Sequence, residues 1–245
     1  MEQNVKTLLE QFRAIAADPR KAVEDHKAET GRGAIGMMPV YAPEELVHAT
    51  GFLPVGLWGG NRPVSKARTY LPPFACSVMQ QVMELECDGA YDILDAVVFS
   101  VPCDTLKCMS QKWKGSAPVL VFTHPQNRGL ESANRFLEHE YAVLLEELEA
   151  VTGVKITNAA LERSIQVYNE NRAVMREFAQ LAGAYPQVIS AVDRHAVFKS
   201  RLFMEKSRHT ALVRQLMEAV RASEPQPWTG RKVVVTGILV EPNGL

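Results

Sequence analysis

Several things are missing from this 245-residue chain. No apolar run approaches the roughly 20 residues needed to cross a bilayer. The N-terminus, MEQNVKTLLEQFRAIAAD, lacks the uninterrupted apolar core of a secretory signal. It reads as an amphipathic helix with Val5, Leu8, Leu9, Phe12 and Ile15 on one face. Charge of one sign is missing too. The 27 Lys and Arg balance 28 Asp and Glu for a net charge of −1, which excludes the basic footprint of a nucleic-acid binder. There is no G-x-x-x-x-G-K-[ST] phosphate loop, no internal repeat and no low-complexity segment. These absences lead us to expect a cytoplasmic protein that contacts neither membrane nor nucleic acid.

Cysteine is scarce and clustered. The four present, Cys76, Cys87, Cys103 and Cys108, all lie within residues 76–108. In a cytosolic chain of this size structural disulfides are not expected. A single cysteine is as readily a small buried hydrophobe. Four together and none elsewhere favour a metal or redox site.

The apolar pattern predicts an α/β protein. Residues 34–38 form a short apolar run. Pro43-Glu44-Glu45-Leu46-Val47 has the proline and acids of a first helical turn, Gly51 closes that helix, and 52–57 is the next apolar run. Residues 58–75 are loop-like, punctuated by Gly59-Gly60, Pro63 and Pro72-Pro73. A helix is expected over 77–87. The β-branched run 96–101 suits a strand buried on both faces of a parallel sheet, and 104–113 suits a helix. A second buried strand follows at 119–122. Alternating strands and helices imply a parallel, Rossmann-like sheet. Residues 130 to 222 read as successive helices, with one ending near Gly153. Pro225 and Pro227 break the pattern, and 232–238 is a further parallel-type strand. The expected division is an α/β domain over 1–129 and a helical segment over 130–230. The first strand of a second, shortened α/β domain is expected over 231–245.

Cys103 has the most informative setting. It follows a buried strand and opens a helix, and ligands in open α/β sheets lie beyond the carboxyl ends of the strands. A thiolate there also feels the favourable end of the helix dipole. Cys76 ends the stiff loop Pro72-Pro73-Phe74-Ala75 and opens the next helix. Two such thiolates suit a soft metal centre or iron–sulfur cluster. The Cys103–Cys108 spacing is not that of a zinc finger. Cys87 lies between Glu86 and Asp88, whose charges raise a thiol pKa, so a structural role is expected.

The residues then resemble a known family. The stretch Met38-Pro39-Val40-Tyr41-Ala42-Pro43-Glu44-Glu45-Leu46-Val47-His48-Ala49-Thr50-Gly51 resembles the opening motif of the 2-hydroxyglutaryl-CoA dehydratase and benzoyl-CoA reductase family. Phe74-Ala75-Cys76-Ser77 and Pro102-Cys103-Asp104-Thr105-Leu106-Lys107 are similar to the surroundings of its two N-terminal cluster cysteines. Residues 232–238 are similar to the start of its second domain.

The resemblance implies that Cys76 and Cys103 are cofactor and metal ligands of a 4Fe-4S cluster. The family's third cluster cysteine falls in the second domain, beyond Leu245. A third ligand is therefore expected from Cys108, a partner chain or an exogenous thiol. The implied activity is a lyase reaction, water elimination from an (R)-2-hydroxyacyl-CoA to a 2-enoyl-CoA. One electron on the thioester carbonyl gives a ketyl radical anion that expels the α-hydroxide and acidifies the β-proton. The electron is then returned. The implied partners are a homologous second subunit, an ATP-hydrolysing iron–sulfur activator and the acyl-CoA substrate. The rival readings are a benzoyl-CoA reductase-type or double-cluster reductase subunit, and a truncated non-catalytic scaffold.

Other residues carry two readings each. Glu44 and Glu45 are site acids or helix-dipole partners. Asp104 supports a cluster or caps its helix. His48 and His124 are acid–base groups or simply core or surface histidines. Ser77 and Ser110 are candidate donors to cluster sulfurs. Arg128, Arg135, Arg163, Arg172 and Arg176 meet coenzyme A phosphates or are solvated.

Overall fold

A computed structural model describes residues 2–38, 41–60, 62–224 and 229–231. The strand expected at 232–238, Pro225 and Pro227, and residues 39 and 40 of the opening motif lie outside the described residues. The chain forms two compact units. One comprises Arg20–Ile165; the other joins Met1–Pro19 to the chain from Gln166 onward.

The first unit is built on a four-stranded, all-parallel sheet. Its strands are β1 (Ala34–Met37), β2 (Leu53–Gly56), β3 (Ala96–Val101) and β4 (Val119–Thr123), in the order β2-β1-β3-β4. The register pairs Ile35 with Pro54 and Ala96, and Val98 with Leu120. Pro54 offers no N–H, so an edge strand is where it costs least. Between the strands come α3 (Glu44–Ala49), a 3-10 turn (Lys66–Thr69), α4 (Ser77–Cys87) and α5 (Asp104–Lys112). After β4 comes α6 (Glu131–Thr152), closed as expected by Gly153 in the left-handed conformation, φ 70°.

Alternate residues of each strand serve opposite layers. Ile35, Met37, Ala96, Val98, Leu120 and Phe122 pack with Leu46 and Val47 of α3 and with Leu144 and Leu148 of α6. On the other face the Phe99 ring meets Trp113, just past α5, edge-on at 5.3 Å. The helices thus lie on both faces, as right-handed crossovers running in opposite directions require. Gly36, in the central strand β1, is there because of crowding. A Cβ would sit 2.8 Å from the side chains of Leu57 and Leu94.

β4 departs from the expected strand buried on both faces. Leu120 and Phe122 are buried, but Val121 is 43% exposed. The reason is that α6 packs on β4 while α5 packs on β3. One face of β4 is therefore left open among the described residues.

The helix α2 (Pro19–Thr30) has no counterpart in the sequence reading. Of its residues only Pro19 and Val23 are buried, too few for a periodic stripe to announce it. Ion pairs Arg20–Glu24 at 2.9 Å and Lys21–Asp25 at 2.8 Å line its surface, each worth a few tenths of a kcal/mol. Its anchor is Lys27, which donates to the Ile93 carbonyl at 2.9 Å and pairs with Asp95 at 3.0 Å.

The second unit is helical: α1 (Glu2–Ala17), most of α7 (Asn158–Ala184), α8 (Ala191–Ser200) and α9 (Lys206–Arg221). Val5, Leu8, Leu9 and Phe12 of α1, on the face expected, close over Phe178, Val197, Val213 and Leu216. Each such side chain contributes about 1.5–3 kcal/mol by leaving water. The N-terminus of α8 carries a Ser190–Asp193 capping box, and Arg13 Nε bonds Asp193 at 2.6 Å. His209 is fully buried, with Nδ1 3.0 Å from the Asn171 amide and Nε2 3.0 Å from the Val197 carbonyl. A carbonyl only accepts, so Nε2 carries the proton and the ring is neutral. Burial, above all, lowers its pKa to about 4. No helix among the described residues is long and apolar enough to cross a membrane.

Candidate functional site

The helices α4 and α5 each return the chain from the carboxyl end of one parallel strand to the amino end of the next. Both therefore run antiparallel to the strands, and both begin at the carboxyl edge of the sheet. They also pack against each other. Cys76 is the N-cap residue of α4 and Cys103 the N-cap residue of α5. Both are extended there, with φ −62°, ψ 147° and φ −150°, ψ 163°. This position ordinarily carries Ser, Thr, Asp or Asn, whose oxygen accepts a first-turn N–H. Neither cysteine makes such a bond, and both thiols are free and exposed. Two thiols in equivalent places on adjacent parallel helices are thus turned outward at one edge.

Each thiol stands on a fixed peptide. Gln80, one turn into α4, donates through its amide to the carbonyl of Ala75, the residue before Cys76, at 2.6 Å. Gln126, in the loop after β4, donates to the carbonyl of Pro102, the residue before Cys103, at 3.0 Å. Two glutamines from unrelated segments make the same contact on the two cysteine loops. Nothing in the sequence reading pointed to either.

The loop that delivers Cys76 is organised by one buried carboxylate. Glu84 accepts from the backbone N–H groups of Ser65, Lys66 and Ala67 at 3.0, 3.2 and 2.8 Å. It also accepts from the Ser65 hydroxyl at 3.1 Å. Burial alone would raise its pKa. The donors, led by Ala67 and Lys66, outweigh that and hold it below the ordinary carboxylate value.

Cys87 and Cys108 stand apart from this pair. Cys87 is the last residue of α4, so it lies ~16 Å along the axis from Cys76. Its thiol pKa is raised, first by burial and then by Glu84 and Glu86. Cys108 follows Cys103 by five residues, about 140° around α5 and ~7 Å along it. Among the described residues no three His, Cys, Asp or Glu side chains converge as a metal site. The edge therefore presents two thiols.

The other candidates fall as follows. Glu44 and Glu45 lie in the first turn of α3, and Asp104 in that of α5, each positioned to favour its helix dipole. His48 Nδ1 is 3.0 Å from the Ser164 hydroxyl, which itself donates to the Glu45 carbonyl at 2.8 Å, so this histidine belongs to a packing network. Ser110 bonds the Lys107 carbonyl of its own helix at 3.0 Å. Ser77 is exposed next to Cys76. Phe74, two residues before Cys76, is 85% exposed. Arg135 pairs with Glu131 at 2.5 Å, and Arg172 donates to Asn169 at 3.1 Å. Arg163 and Arg176 are exposed on α7. His124 and Arg128 lie in the loop after β4, at the same edge as Cys103.

The model of one protein family, described as 2-hydroxyglutaryl-CoA dehydratase, D-component, matches residues 39–245. The chain belongs to that family. Among curated relatives, the lactoyl-CoA dehydratase subunit beta of Anaerotignum propionicum is 66% identical over 242 residues, 98% of this chain and 65% of that protein. The (R)-phenyllactyl-CoA dehydratase beta subunit of Clostridium sporogenes is 44% identical over 237 residues, covering 96% of this chain and 63% of that protein. The (R)-2-hydroxyglutaryl-CoA dehydratase subunit beta of Acidaminococcus fermentans is 37% identical over 246 residues, 98% of this chain and 65% of that protein. The dehydratase-family chain thus spans a little under two thirds of the length of these relatives.

Proposed function

We propose that this chain acts as the iron–sulfur subunit of an (R)-2-hydroxyacyl-CoA dehydratase, with Cys76 and Cys103 holding a 4Fe-4S cluster. The observation that carries the proposal is the matched placement of the two free thiols. Each stands at the N-cap position of a helix at the carboxyl edge of a parallel sheet, where such folds bind ligands. Family membership and three relatives named as 2-hydroxyacyl-CoA dehydratase beta subunits support the reaction class. A beta subunit has a partner subunit, so a homologous second chain is part of the proposal.

The donor set fits such a cluster in kind, since iron–sulfur clusters take thiolate ligands. It supplies two ligands; a third would come from Cys108, a partner chain or an exogenous thiol. When bound, the cluster supplies a one-electron donor. The chain's own residues do the rest. The two helix N-termini set first-turn N–H groups beside Cys76 and Cys103. Gln80 and Gln126 fix the peptides from which those thiolates project. Glu84 holds the loop that enters α4. The wider reaction, a ketyl radical route fed by an ATP-hydrolysing iron–sulfur activator, is part of the same proposal and rests on the family resemblance.

The test is iron and acid-labile sulfide in anaerobically purified protein, alone and co-expressed with a second dehydratase subunit. About four of each per chain supports the reading. Cys103→Ser is expected to abolish iron retention and Cys87→Ser to leave it intact. Equal loss in both variants, or no iron in either wild-type preparation, refutes it.

A further inference from the structure

The carboxyl edge carries a second arrangement, made from the loops after β1 and β4. Tyr41 has φ 59°, a left-handed conformation that a bulky side chain adopts only when its surroundings hold it there. Its ring stacks on the His124 imidazole at 4.4 Å between centroids and 27° between planes. The Arg128 guanidinium lies 4.3 Å from the same ring centroid and donates to the Tyr41 hydroxyl at 2.5 Å. Arg128 and Tyr41 are both exposed, and His124 is half-buried.

Donors are left over at this exposed cluster. The Tyr41 oxygen accepts from Arg128, so its own hydrogen is free to donate. One of the five guanidinium N–H groups is used on Tyr41. Among the described residues no carboxylate pairs with Arg128, whereas Arg135 is paired with Glu131. His124 Nδ1 lies 3.1 Å from the Pro125 carbonyl, which fixes the proton on that atom and leaves Nε2 as the outer ring nitrogen. The position is also informative. In the order β2-β1-β3-β4, the chain leaves β1 in one direction and β3 in the other, so the switch point lies between them. Tyr41 follows β1, Cys103 follows β3, and Gln126 ties the post-β4 loop to Pro102 at 3.0 Å. Open α/β sheets take phosphate-bearing ligands at this crevice. A planar guanidinium with free N–H pairs matches a phosphate oxyanion.

We propose that Tyr41, His124 and Arg128 form an oxyanion clamp for a phosphate or pyrophosphate group of a small ligand. With a coenzyme A thioester as ligand the site rests on the dehydratase reading and deepens it; with a free nucleotide it goes beyond that reading, and neither case needs the cluster. Its shared chemistry is the phosphate, carried either by a free nucleotide or by a coenzyme A thioester.

The test is calorimetric titration of the full chain with inorganic pyrophosphate, then with ADP and coenzyme A. Wild-type protein is expected to bind pyrophosphate, Arg128→Gln at least tenfold more weakly, and Tyr41→Phe several-fold more weakly. The thermal midpoint should be the same in all three, since Arg128 is on the surface. Coenzyme A binding more tightly than ADP would assign the clamp to the thioester carrier; the reverse would assign it to a nucleotide. Pyrophosphate affinity unchanged in Arg128→Gln, no wild-type binding at millimolar pyrophosphate, or tighter binding of succinate overturns the proposal. The iron assay decides the cluster reading separately, so either can fail without the other.

Discussion

Glu86 offers the sharpest quantitative test of the structure. It lies in the last turn of α4 and is 5% exposed. Its Oε1 has no hydrogen-bond partner, and neither has the buried indole N–H of Trp113. Burial, then the charge of Asp92, pushes its pKa from 4.5 to about 7, with only the Gly115 N–H acting the other way. Between pH 4.5 and 7 the unfolded chain releases this proton while the folded chain keeps it. Folding then binds a proton, so stability falls as pH rises through that window and levels off above 7. The full swing corresponds to about 3 kcal/mol. Glu86→Gln removes the titration while keeping an acceptor oxygen for Gly115. The variant should equal wild type at pH 4 and exceed it by about 2–3 kcal/mol at pH 8. In thermal unfolding that is roughly 6–10 °C. The assay is circular dichroism melting of both proteins at one-unit intervals from pH 4 to 8. A gap that does not change with pH, or a variant less stable than wild type at pH 8, would refute the reasoning.

The remaining predictions concern other parts of the molecule. His209 has the opposite dependence. Its folded pKa of about 4 lies below the unfolded 6.5, so its contribution is present above 6.5 and lost as pH falls to about 4. A ring that stays neutral down to about pH 4 in NMR titration would bear this out, whereas titration near 6.5 would contradict it. Gln126→Ala and Gln80→Ala each remove about 0.5–1.5 kcal/mol of net hydrogen bonding from a cysteine loop. Iron retained under chelator challenge should then fall about three- to tenfold with the melting point little changed. Unaltered retention in both would mean that the glutamines do not position the thiols. Gly36→Ala puts a Cβ against Leu57 and Leu94 and should cost about 1–3 kcal/mol in urea unfolding. A neutral result would show that those side chains repack freely.

Much of this architecture was legible in the residues, for identifiable reasons. β1, β2 and β3 are continuous apolar runs flanked by turn residues, and strands buried on both faces leave that signature. Cys76 and Cys103 were placed at helix heads because a proline-stiffened loop precedes one and a strand the other. Where the reading stopped, the cause is tertiary. α2 is held by Lys27 reaching Ile93 and Asp95, contacts some 66 residues away in sequence that leave no local pattern. The openness of β4 depends on where α5 packs, which its own run of Val and Leu does not encode. Gln80 and Gln126 are ordinary polar residues until the fold sets each beside a cysteine loop. Five arginines looked equivalent in sequence; the stack on Tyr41 distinguishes Arg128.

The uncapped heads of α4 and α5 also make the site self-reporting. With cysteine at each N-cap, no cap side chain accepts from the first-turn amides of either helix. Such amides exchange with solvent deuterium quickly while the thiols are bare. Anything anionic seated on Cys76 and Cys103 gives them acceptors and slows them together. Deuterium uptake in two short peptides, one opening each helix, would then gauge occupancy of this edge without colour, turnover or a paramagnetic signal.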